Sequence, residues 1–253
     1  MGTKKHNSRF CITFNLKDLP LAEKLLKLIG YGFIRIKTKE NACVLTVSPI
    51  KGLIVIVNFI NGYLRSPKIY QLHSLIDWLN CNHGTNLSKF PINCTSLSSD
   101  AWLAGFIDAD GGFLIRHTKI GKDLLNKKRR IACSLTIEQR IVDPITNESY
   151  EPLFKSIAEF FGTTLTFRTQ ISSGRKYLRI VATSRNSLSI VVEYFSNFPL
   201  LSSKYLDYKN WAEAVQIILS NQHLTQDGAN SIDRLKQEMN NARITFNWDH
   251  LNI

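Results

Sequence analysis

The sequence predicts an α/β (α+β) fold made of two copies of one helix-and-strand module. Three observations support this: a length of 253 residues with 44% hydrophobic content, an internal repeat, and strands in which apolar residues alternate with polar ones. This length and composition are sufficient for one large or two small hydrophobic cores. We therefore expect a globular protein rather than a disordered one.

The charge balance indicates a polyanionic partner. The chain has 32 lysines and arginines against 20 aspartates and glutamates, which gives a net charge of +12 and a pI near 9.5. A charge of this sign and size favours nucleic acid over an anionic membrane surface. No apolar run reaches ~18 residues and no secretory signal precedes the first module, so we expect no membrane association.

The cysteines and histidines predict neither disulfides nor a structural metal. There are five cysteines without a C-x-x-C pair, and the six histidines form no H-x-x-x-H pattern. Cysteines spaced in this way are typical of reduced core residues rather than of zinc ligands.

The repeat is visible in three pairs of segments. FCITF (10–14) corresponds to ACSLTI (132–137), DLPLAEKLLKLIG (18–30) to YEPLFKSIAEFFG (150–162), and SPIKGLIVIVNFINGYLRSPK (48–68) to SRNSLSIVVEYFSNFPLLSSK (184–204). The last pair matches Lys68 with Lys204. Self-similarity of this length indicates one module present twice.

The repeat and the hydrophobic periodicity together predict the order of elements. In the first copy, residues 1–80, they predict a strand at 10–15, a helix at 20–29, strands at 31–38 and 42–48, and helices at 50–61 and 67–80. A polar linker follows at 81–97. In the second copy, residues 98–220, they predict the order α-β-β-α-β-β-α with a helix at 99–109, strands at 112–118 and 131–138, a helix at 152–161, strands at 164–170 and 176–183, and helices at 187–196 and 203–219. A helical tail, 221–253, is predicted to pack through a helix at 231–242.

The segment SSDAWLAGFIDADGGF (98–113) heads the second copy. Ser98 or Ser99 is a candidate N-cap, and Gly111 and Gly112 are expected to end the helix. Carboxylates in the last turn oppose the helix dipole by roughly 0.3 to 1 kcal/mol, so a compensating group is expected. An ordinary buried helix followed by a glycine-rich turn is an alternative interpretation of the same sequence. In the first copy, Cys11 aligns with Cys133 and has too few residues before it to include a helix like that at 99–109. The first copy is therefore expected to lack this helix.

This head helix has two unlike sides. Its bulky side carries Trp102, Leu103, Phe106 and Ile107, and its slim side carries Ala101, Ala104, Gly105 and Asp108. Small side chains allow two helix backbones to approach closely, so the slim side predicts pairing with a twin helix.

The strands also predict one apolar and one basic, hydrogen-bonding face. Ile34 and Ile36 alternate with Arg35 and Lys37, and the strands at 164–170 and 176–183 follow the same pattern. Side chains of this kind suit phosphates and base edges in a major groove, although solvated edge strands also carry them. The candidate nucleic-acid-binding residues are Arg35, Lys37, Arg116, Arg168, Gln170, Arg175, Tyr177 and Arg179. The loop 119–130, with Lys119, Lys122, Lys127, Lys128, Arg129 and Arg130, is a candidate phosphate clamp or a solvated charge run.

LAGFIDADG (103–111), at the head of a module that repeats, resembles the motif of the LAGLIDADG homing endonucleases and the related maturases of group I introns. PLLSSKYLDY (199–208) resembles the single-chain fungal mitochondrial members. The resemblance implies two LAGLIDADG modules with antiparallel saddle-shaped sheets, a mitochondrial location and a double-stranded DNA substrate.

The resemblance also implies roles for individual residues. Asp110, with the Ala109 carbonyl, is expected to bind Mg²⁺, while Asp108 has a mainly structural role and packs with Ala101, Ala104 and Gly105 against a twin helix. Gln139 resembles the polar residue near the cleavage centre. Arg179 and Lys204 are candidates for the basic catalytic residue, and Lys204 is carried forward with Asp110 and Gln139 as the catalytic set.

The first copy departs from the family pattern because it supplies no second motif acid. We therefore expect the chain alone to make no double-strand breaks, and to be either a monomer or dependent on a missing N-terminal motif segment. Two alternatives stay open from sequence: an RNA-binding maturase that assists group I intron splicing, and a DNA-binding relic that does not cleave.

Overall fold

The computed structural model describes residues 8–118 and 130–252, which form two compact units. Unit 1 contains the chain up to Thr95 together with Asp143–Glu148 and Trp248–Ile253, and unit 2 contains Ser96–Val142 and Ser149–Asn247. Each unit has an antiparallel sheet packed with helices, so the predicted fold class is confirmed. Among the described residues, no helix is long and apolar enough to cross a bilayer.

Unit 1 is built around a three-stranded sheet. Its elements are β1 (Phe10–Asn15), α1 (Leu19–Ile29), β2 (Phe33–Lys37), β3 (Ala42–Val47), α2 (Ile50–Ile60) and α3 (Ile69–His83). The strand order is β1-β3-β2, so β3 is central. Pro20 lies in the first turn of α1 and Gly30, with a φ of 74°, follows its last residue, which are the positions that these residue types favour.

Strand β3 shows which side of the unit 1 sheet is buried. Cys43 and Leu45 have no exposed surface. Ile36 pairs with Cys43 and Ile34 with Leu45, so both isoleucines lie on the buried side, as the alternation predicts. Ile36 is nevertheless 53% exposed, because β2 is an edge strand and packing covers it from one direction only.

Unit 2 contains a four-stranded sheet in the order β4-β5-β7-β6. Its elements are α4 (Trp102–Asp110), β4 (Gly111–Thr118), β5 (Arg130–Arg140), α5 (Glu151–Phe160), β6 (Leu165–Thr169), β7 (Lys176–Ala182), α6 (Arg185–Asn197), α7 (Lys204–Leu219) and α8 (Gln226–Gln237). The order predicted for the second copy is therefore present, followed by the tail helix.

The core of unit 2 lies between one face of this sheet and the helices. Alternate residues of β4, β5 and β7 are buried on that face: Phe113, Ile115, Cys133, Leu135, Ile137, Leu178, Ile180 and Ala182. The Phe113 ring lies 5.8 Å from Phe195, 5.5 Å from Tyr208 and 5.1 Å from Trp211, measured between ring centroids. The other face of the sheet carries the alternate, more polar residues.

The tail helix is part of unit 2 and begins earlier than predicted. Thr225 caps α8 by accepting a hydrogen bond from the Gly228 amide at 3.1 Å, which places the helix five residues ahead of the predicted start at 231. Asp233 of α8 contacts His117 at the end of β4. Residues 221–247 therefore do not form a region separate from 98–220.

The other predicted boundaries differ by a few residues. Helix α3 continues to His83, beyond the predicted module end at 80, and the units divide at Thr95 and Ser96 inside the predicted 81–97 linker. Lys119, Lys122, Lys127, Lys128 and Arg129 of the basic loop lie outside the described residues, and Arg130 begins β5.

The predicted alignment of the first strands is wrong by three residues. Cys11 is exposed whereas Cys133 is buried, so they do not occupy matching positions. Strand pairing instead matches Phe10 with Leu135. Phe10 lies opposite Val47, three residues before the start of α2, and Leu135 lies opposite Ala182, three residues before the start of α6. Both strands are short and apolar, and their letters alone do not distinguish the two registers.

Candidate functional site

The head helix α4 begins later than the serines suggest. Its N-cap is Ala101, which makes no side-chain cap, so the prediction of Ser98 or Ser99 in this role is wrong. Asp100 replaces them, because its Oδ1 accepts the Trp102 amide at 3.0 Å. A carboxylate here is favourable, since the first amides of a helix lack partners within it.

A second side chain holds the same helix end from inside the core. The Tyr194 hydroxyl, on α6, accepts the Ala104 amide at 3.1 Å and donates to the Asp100 carbonyl at 2.9 Å. Sequence reasoning missed this residue, because nothing local links positions so distant in the chain.

Lys204 compensates for the acids at the other end of α4. Its ammonium donates to the carbonyls of Ile107 at 2.9 Å, Asp108 at 2.8 Å and Gly111 at 2.5 Å. A cation on the last carbonyls of a helix is favourable for the helix dipole. Lys204 therefore holds the turn that carries the acids, and a direct catalytic role for it stays a prediction.

The Asp108 side chain forms hydrogen bonds within unit 2. Its carboxylate accepts the Leu201 amide at 2.8 Å, the Ser202 amide at 3.3 Å and the Ser202 hydroxyl at 2.5 Å. Burial raises the pKa of Asp108 above its usual range, opposed by the hydrogen bonds from Ser202 and Leu201 and by the Lys204 charge. These contacts tie the end of α4 to residues 201–202, and the mainly structural role of Asp108 stays a prediction.

Asp110, in contrast, is exposed at the junction of α4 and β4. The Gln139 side-chain amide, near the end of β5, donates to Asp110 Oδ2 at 2.9 Å, and Gln139 Oε1 accepts the Arg140 amide at 2.9 Å. The second contact fixes which end of the Gln139 amide faces the acid. Two of the predicted catalytic residues are thus brought together, and the exposed carboxylate is accessible to a ligand.

The four residues predicted for helix pairing do not share one open surface. Ala104 is 3% exposed within the core of unit 2, and Asp108 is engaged with residues 201–202. Ala101 and Gly105 are exposed, and a Cβ added at Gly105 would meet no atom within 4 Å. Close packing of a second helix on α4 through Ala101 and Gly105 stays a prediction.

The open face of the unit 2 sheet is rich in arginine. Strand register places Arg116, Arg130, Arg140, Arg168 and Arg179 on this face. Glu138 lies among them, with Oε1 2.6 Å from Arg168 Nη1 and Oε2 3.9 Å from Arg179 Nε. Glu138 and Arg140 were missed, although the alternation that identified the other strands also runs through TIEQR (136–140).

Three predicted contact residues lie at or near the hairpin between β6 and β7. Gln170 Oε1 accepts the Ser173 hydroxyl at 2.9 Å and the Tyr177 hydroxyl at 3.3 Å, and Arg175 is exposed in the turn. Tyr177 is paired with Arg168 across the strands, which places it on the open face.

In unit 1 the predicted contact residues lie on β2. Arg35 is exposed and faces away from the buried side. Lys37 pairs with Glu40 at 3.0 Å, three residues further along the chain. The charge of Lys37 is thus partly neutralised by its own turn.

Comparison with known proteins found a matching family and several similar proteins. A family described as LAGLIDADG endonuclease matches residues 2–79 and 103–215, which is most of the chain and includes both copies. Intron-encoded DNA endonuclease aI3 of Saccharomyces cerevisiae is 29% identical over an alignment that covers 99% of this chain and 67% of that protein. An uncharacterised cox1 intron-2 protein of Schizosaccharomyces pombe is also 29% identical, covering 92% of this chain and 67% of its own length.

Solved structures share the fold. The LAGLIDADG homing endonuclease I-GzeII, in complex with a DNA target, superposes with a TM-score of 0.72 at 19% identity, covering 96% of this chain and 93% of that chain. I-SmaMI, bound to cleaved DNA, has a TM-score of 0.71 at 21% identity, covering 93% of this chain and 87% of that chain.

Proposed function

Because the chain belongs to the LAGLIDADG endonuclease family, we propose that it is an intron-encoded endonuclease that hydrolyses phosphodiester bonds of double-stranded DNA at a specific site. The observation that carries this proposal is the exposed Asp110 carboxylate, held by Gln139 where α4 joins an arginine-bearing sheet. The relatives' names, which describe DNA endonucleases, support DNA rather than intron RNA as the substrate.

The open face of the unit 2 sheet is the proposed DNA contact. Its arginines provide planar groups that bind phosphates or the acceptor edge of guanine with two hydrogen bonds. Glu138 restrains Arg168 and Arg179, and a carboxylate can itself accept from the cytosine amino group. We expect Arg116, Arg130 and Arg140, which register places on the same face, to bind the backbone or bases directly.

The residues around Asp110 fit a hard divalent cation, and we propose Mg²⁺. The donors are the exposed Asp110 carboxylate and the Ala109 carbonyl, and Mg²⁺ prefers oxygen ligands of this type with several positions left to water and phosphate. Within residues 8–118 and 130–252 no cluster of three acidic, histidine or cysteine side chains surrounds the site, so this chain supplies part of a coordination sphere. When bound, the cation would stabilise negative charge that develops at the scissile phosphate.

The other residues of the site act by position. Gln139 orients the Asp110 carboxylate through the 2.9 Å hydrogen bond. Lys204 holds the carbonyls on both sides of Ala109 in the chain, and Asp108 ties the same helix end to residues 201–202. Together these contacts fix the direction in which Asp110 leaves the helix.

The relatives' names place their genes in introns, including one in cox1. We therefore propose that the DNA target is an intron-insertion site and that the protein acts in mitochondria.

A plasmid-cleavage assay tests the proposal. The substrate is supercoiled DNA that carries the intron-insertion site, with Mg²⁺ present. Because the first copy supplies no motif acid, we expect no linear product from this chain alone and linear product from a fusion to a second motif segment. Asp110→Asn in the fusion should abolish linearisation, whereas Asp77→Asn, at an exposed ion pair in unit 1, should leave it unchanged.

Two outcomes would contradict this account. Cleavage that survives Asp110→Asn would remove the proposed role of Asp110. Linear product from the unfused chain would show that the chain supplies the second acid elsewhere.

A further inference from the structure

The free edge of β4 is bound by two side chains from outside the sheet. In the described part of the chain, β4 is an outer strand of the order β4-β5-β7-β6, so one side of its backbone pairs with no other strand. Gly111 and Phe113 are two residues apart, so their carbonyls point to the same side of the strand. The Gly111 carbonyl accepts from Lys204 at 2.5 Å, and the Phe113 carbonyl accepts from the Asn240 side-chain amide at 3.2 Å. Both contacts lie within three residues of Asp110.

Asn240 belongs to a short segment after α8, residues 239–243, which is called the tail segment below and lies within unit 2. The Asn240 backbone amide donates to Asp207 Oδ1 at 3.0 Å, while its side chain reaches Phe113. Its φ is 54°, in the left-handed region, which asparagine adopts more readily than most residues. Asp207 lies in the first turn of α7. One residue of the tail segment therefore bridges the start of α7 and the start of β4.

Arg243 binds the same acid. Its Nε lies 3.0 Å from Asp207 Oδ1, and its Nη2 donates to the Leu206 carbonyl at 3.2 Å. The Arg243 and Asp207 side chains are 13% and 8% exposed, so the ion pair is largely removed from water. Because removing two charges from water is costly, a buried pair adds little stability compared with apolar residues of similar volume. Its directional hydrogen bonds are better suited to fixing the geometry of the tail segment against α7.

These contacts join three segments in a closed ring. Lys204 joins α7 to β4, Asn240 joins β4 to the tail segment, and Asp207 joins the tail segment back to α7. Without the Asn240 contact, α7 and β4 would be joined in this ring by Lys204 alone, whose four-carbon stem is flexible. The tail segment therefore restricts how far α7 and β4 can separate at the point where the chain leaves Asp110.

We propose that the tail segment positions the Asp110 carboxylate, with Asn240, Asp207 and Arg243 as positioning residues that act through α7 and β4. The consequence for cleavage rests on the proposed nuclease function. Residues behind a metal ligand matter because they fix the direction in which the ligand points. Here they would fix it from a segment more than 100 positions further along the chain.

Hydrogen exchange of the full chain, without DNA or metal, is a test that does not depend on nuclease activity. Asn240→Gly keeps the amide that binds Asp207 and tolerates the positive φ, so it removes the side-chain contact to Phe113. We expect exchange in residues 109–114 to become several times faster, with exchange in α6 unchanged. Asn240→Asp should have a larger effect, because its carboxylate cannot donate to the Phe113 carbonyl and would face another acceptor.

Ile232→Val is the matched control for a general loss of stability. Ile232 is fully buried in α8, so the substitution removes one buried methylene and leaves the polar contacts of the tail segment in place. We expect exchange to rise evenly across unit 2, without preference for residues 109–114. If Asn240→Gly gave the same even rise, or no rise in residues 109–114, the tail segment would have no positioning role and the proposal would be overturned.

The Mg²⁺ dependence of cleavage by the fusion protein tests the consequence for the site. Asn240→Gly should raise the Mg²⁺ concentration for half-maximal cleavage severalfold at unchanged affinity for duplex DNA, whereas Ile232→Val should leave it unchanged. An unchanged Mg²⁺ dependence in Asn240→Gly would overturn the proposal. If the native fusion failed to cleave, the proposed nuclease function would fail instead, and hydrogen exchange would still decide whether the tail segment holds the turn of Asp110.

Discussion

The Asp108 carboxylate accepts a hydrogen bond from the Ser202 hydroxyl, with 2.5 Å between Asp108 Oδ1 and Ser202 Oγ, and so ties the end of α4 to the residues just before α7. We predict that Asp108→Ala lowers the free energy of unfolding by ~1 to 3 kcal/mol, because the part-buried Ser202 amide and hydroxyl and the exposed Leu201 amide lose their acceptor. Asp108→Asn should lose less, since its carbonyl oxygen still accepts. Urea denaturation measures both changes.

Asp77→Ala is the matched control for that prediction. Asp77 forms an exposed ion pair with Lys89 at 2.6 Å, and exposed pairs contribute ~0 to 1 kcal/mol. If Asp108→Ala kept full stability while cleavage by the fused protein was lost, Asp108 would act in the reaction rather than in the fold.

Lys204→Met should destabilise unit 2 by ~1 to 3 kcal/mol, because three carbonyls near the helix end lose a charged donor. Lys204→Arg should lose less stability than Lys204→Met, because the positive charge is kept. It should not reach the stability of the native chain, because a planar guanidinium cannot converge on three acceptors as an ammonium does. Chemical denaturation is the measurement, with Lys155→Met as the control at a 67% exposed side chain. Unchanged stability with abolished cleavage would instead return Lys204 to a direct catalytic role.

Glu138→Gln should strengthen binding to non-specific duplex DNA. The substitution removes the carboxylate that pairs with Arg168 and Arg179 and frees both guanidinium groups for phosphates. Each added phosphate contact should steepen the slope of log K against log salt by ~0.9. Glu213→Gln, an exposed residue on α7 with the same charge change, should leave the slope unchanged. If Glu138→Gln and Glu213→Gln showed the same slope of log K against log salt, the proposal that Glu138 lies in the DNA interface would be contradicted.

Binding of the native chain to duplex DNA should fall steeply with salt. Six or more phosphate contacts predict a loss of affinity on the order of a thousandfold between 50 and 200 mM salt. A filter-binding titration measures this directly. A flat response would contradict binding through the arginine face.

Thiol labelling should separate the five cysteines into two groups. Cys11, Cys81 and Cys94 are exposed, whereas Cys43 and Cys133 are buried. Burial raises the pKa of Cys133 to about 12. Raising the pH from ~7 to ~9 should therefore leave labelling of Cys133 slow, because its thiolate forms only above that range. Mass spectrometry counts the labels, and rapid labelling of Cys133 in folded protein would contradict its burial.

The type and order of the elements could be predicted from local sequence patterns. Hydrophobic period and the repeat identify each strand and helix of both copies, because local side-chain spacing decides which face a segment can bury. The nine residues LAGFIDADG likewise identified the family, since a motif is a local property. The predicted start of a helix differed from the observed one where a capping residue determines it, as Thr225 does for α8.

The folded structure was needed to find the residues that support the site. Tyr194, Ser202 and Lys204 reach α4 from about 90 positions away, and their contacts exist only once the chain has folded. It also decided that Ala104 belongs to the core rather than to an open helix face. Whether a small residue is exposed or buried depends on which residues pack beside it, and the identity of the small residue does not indicate these neighbours.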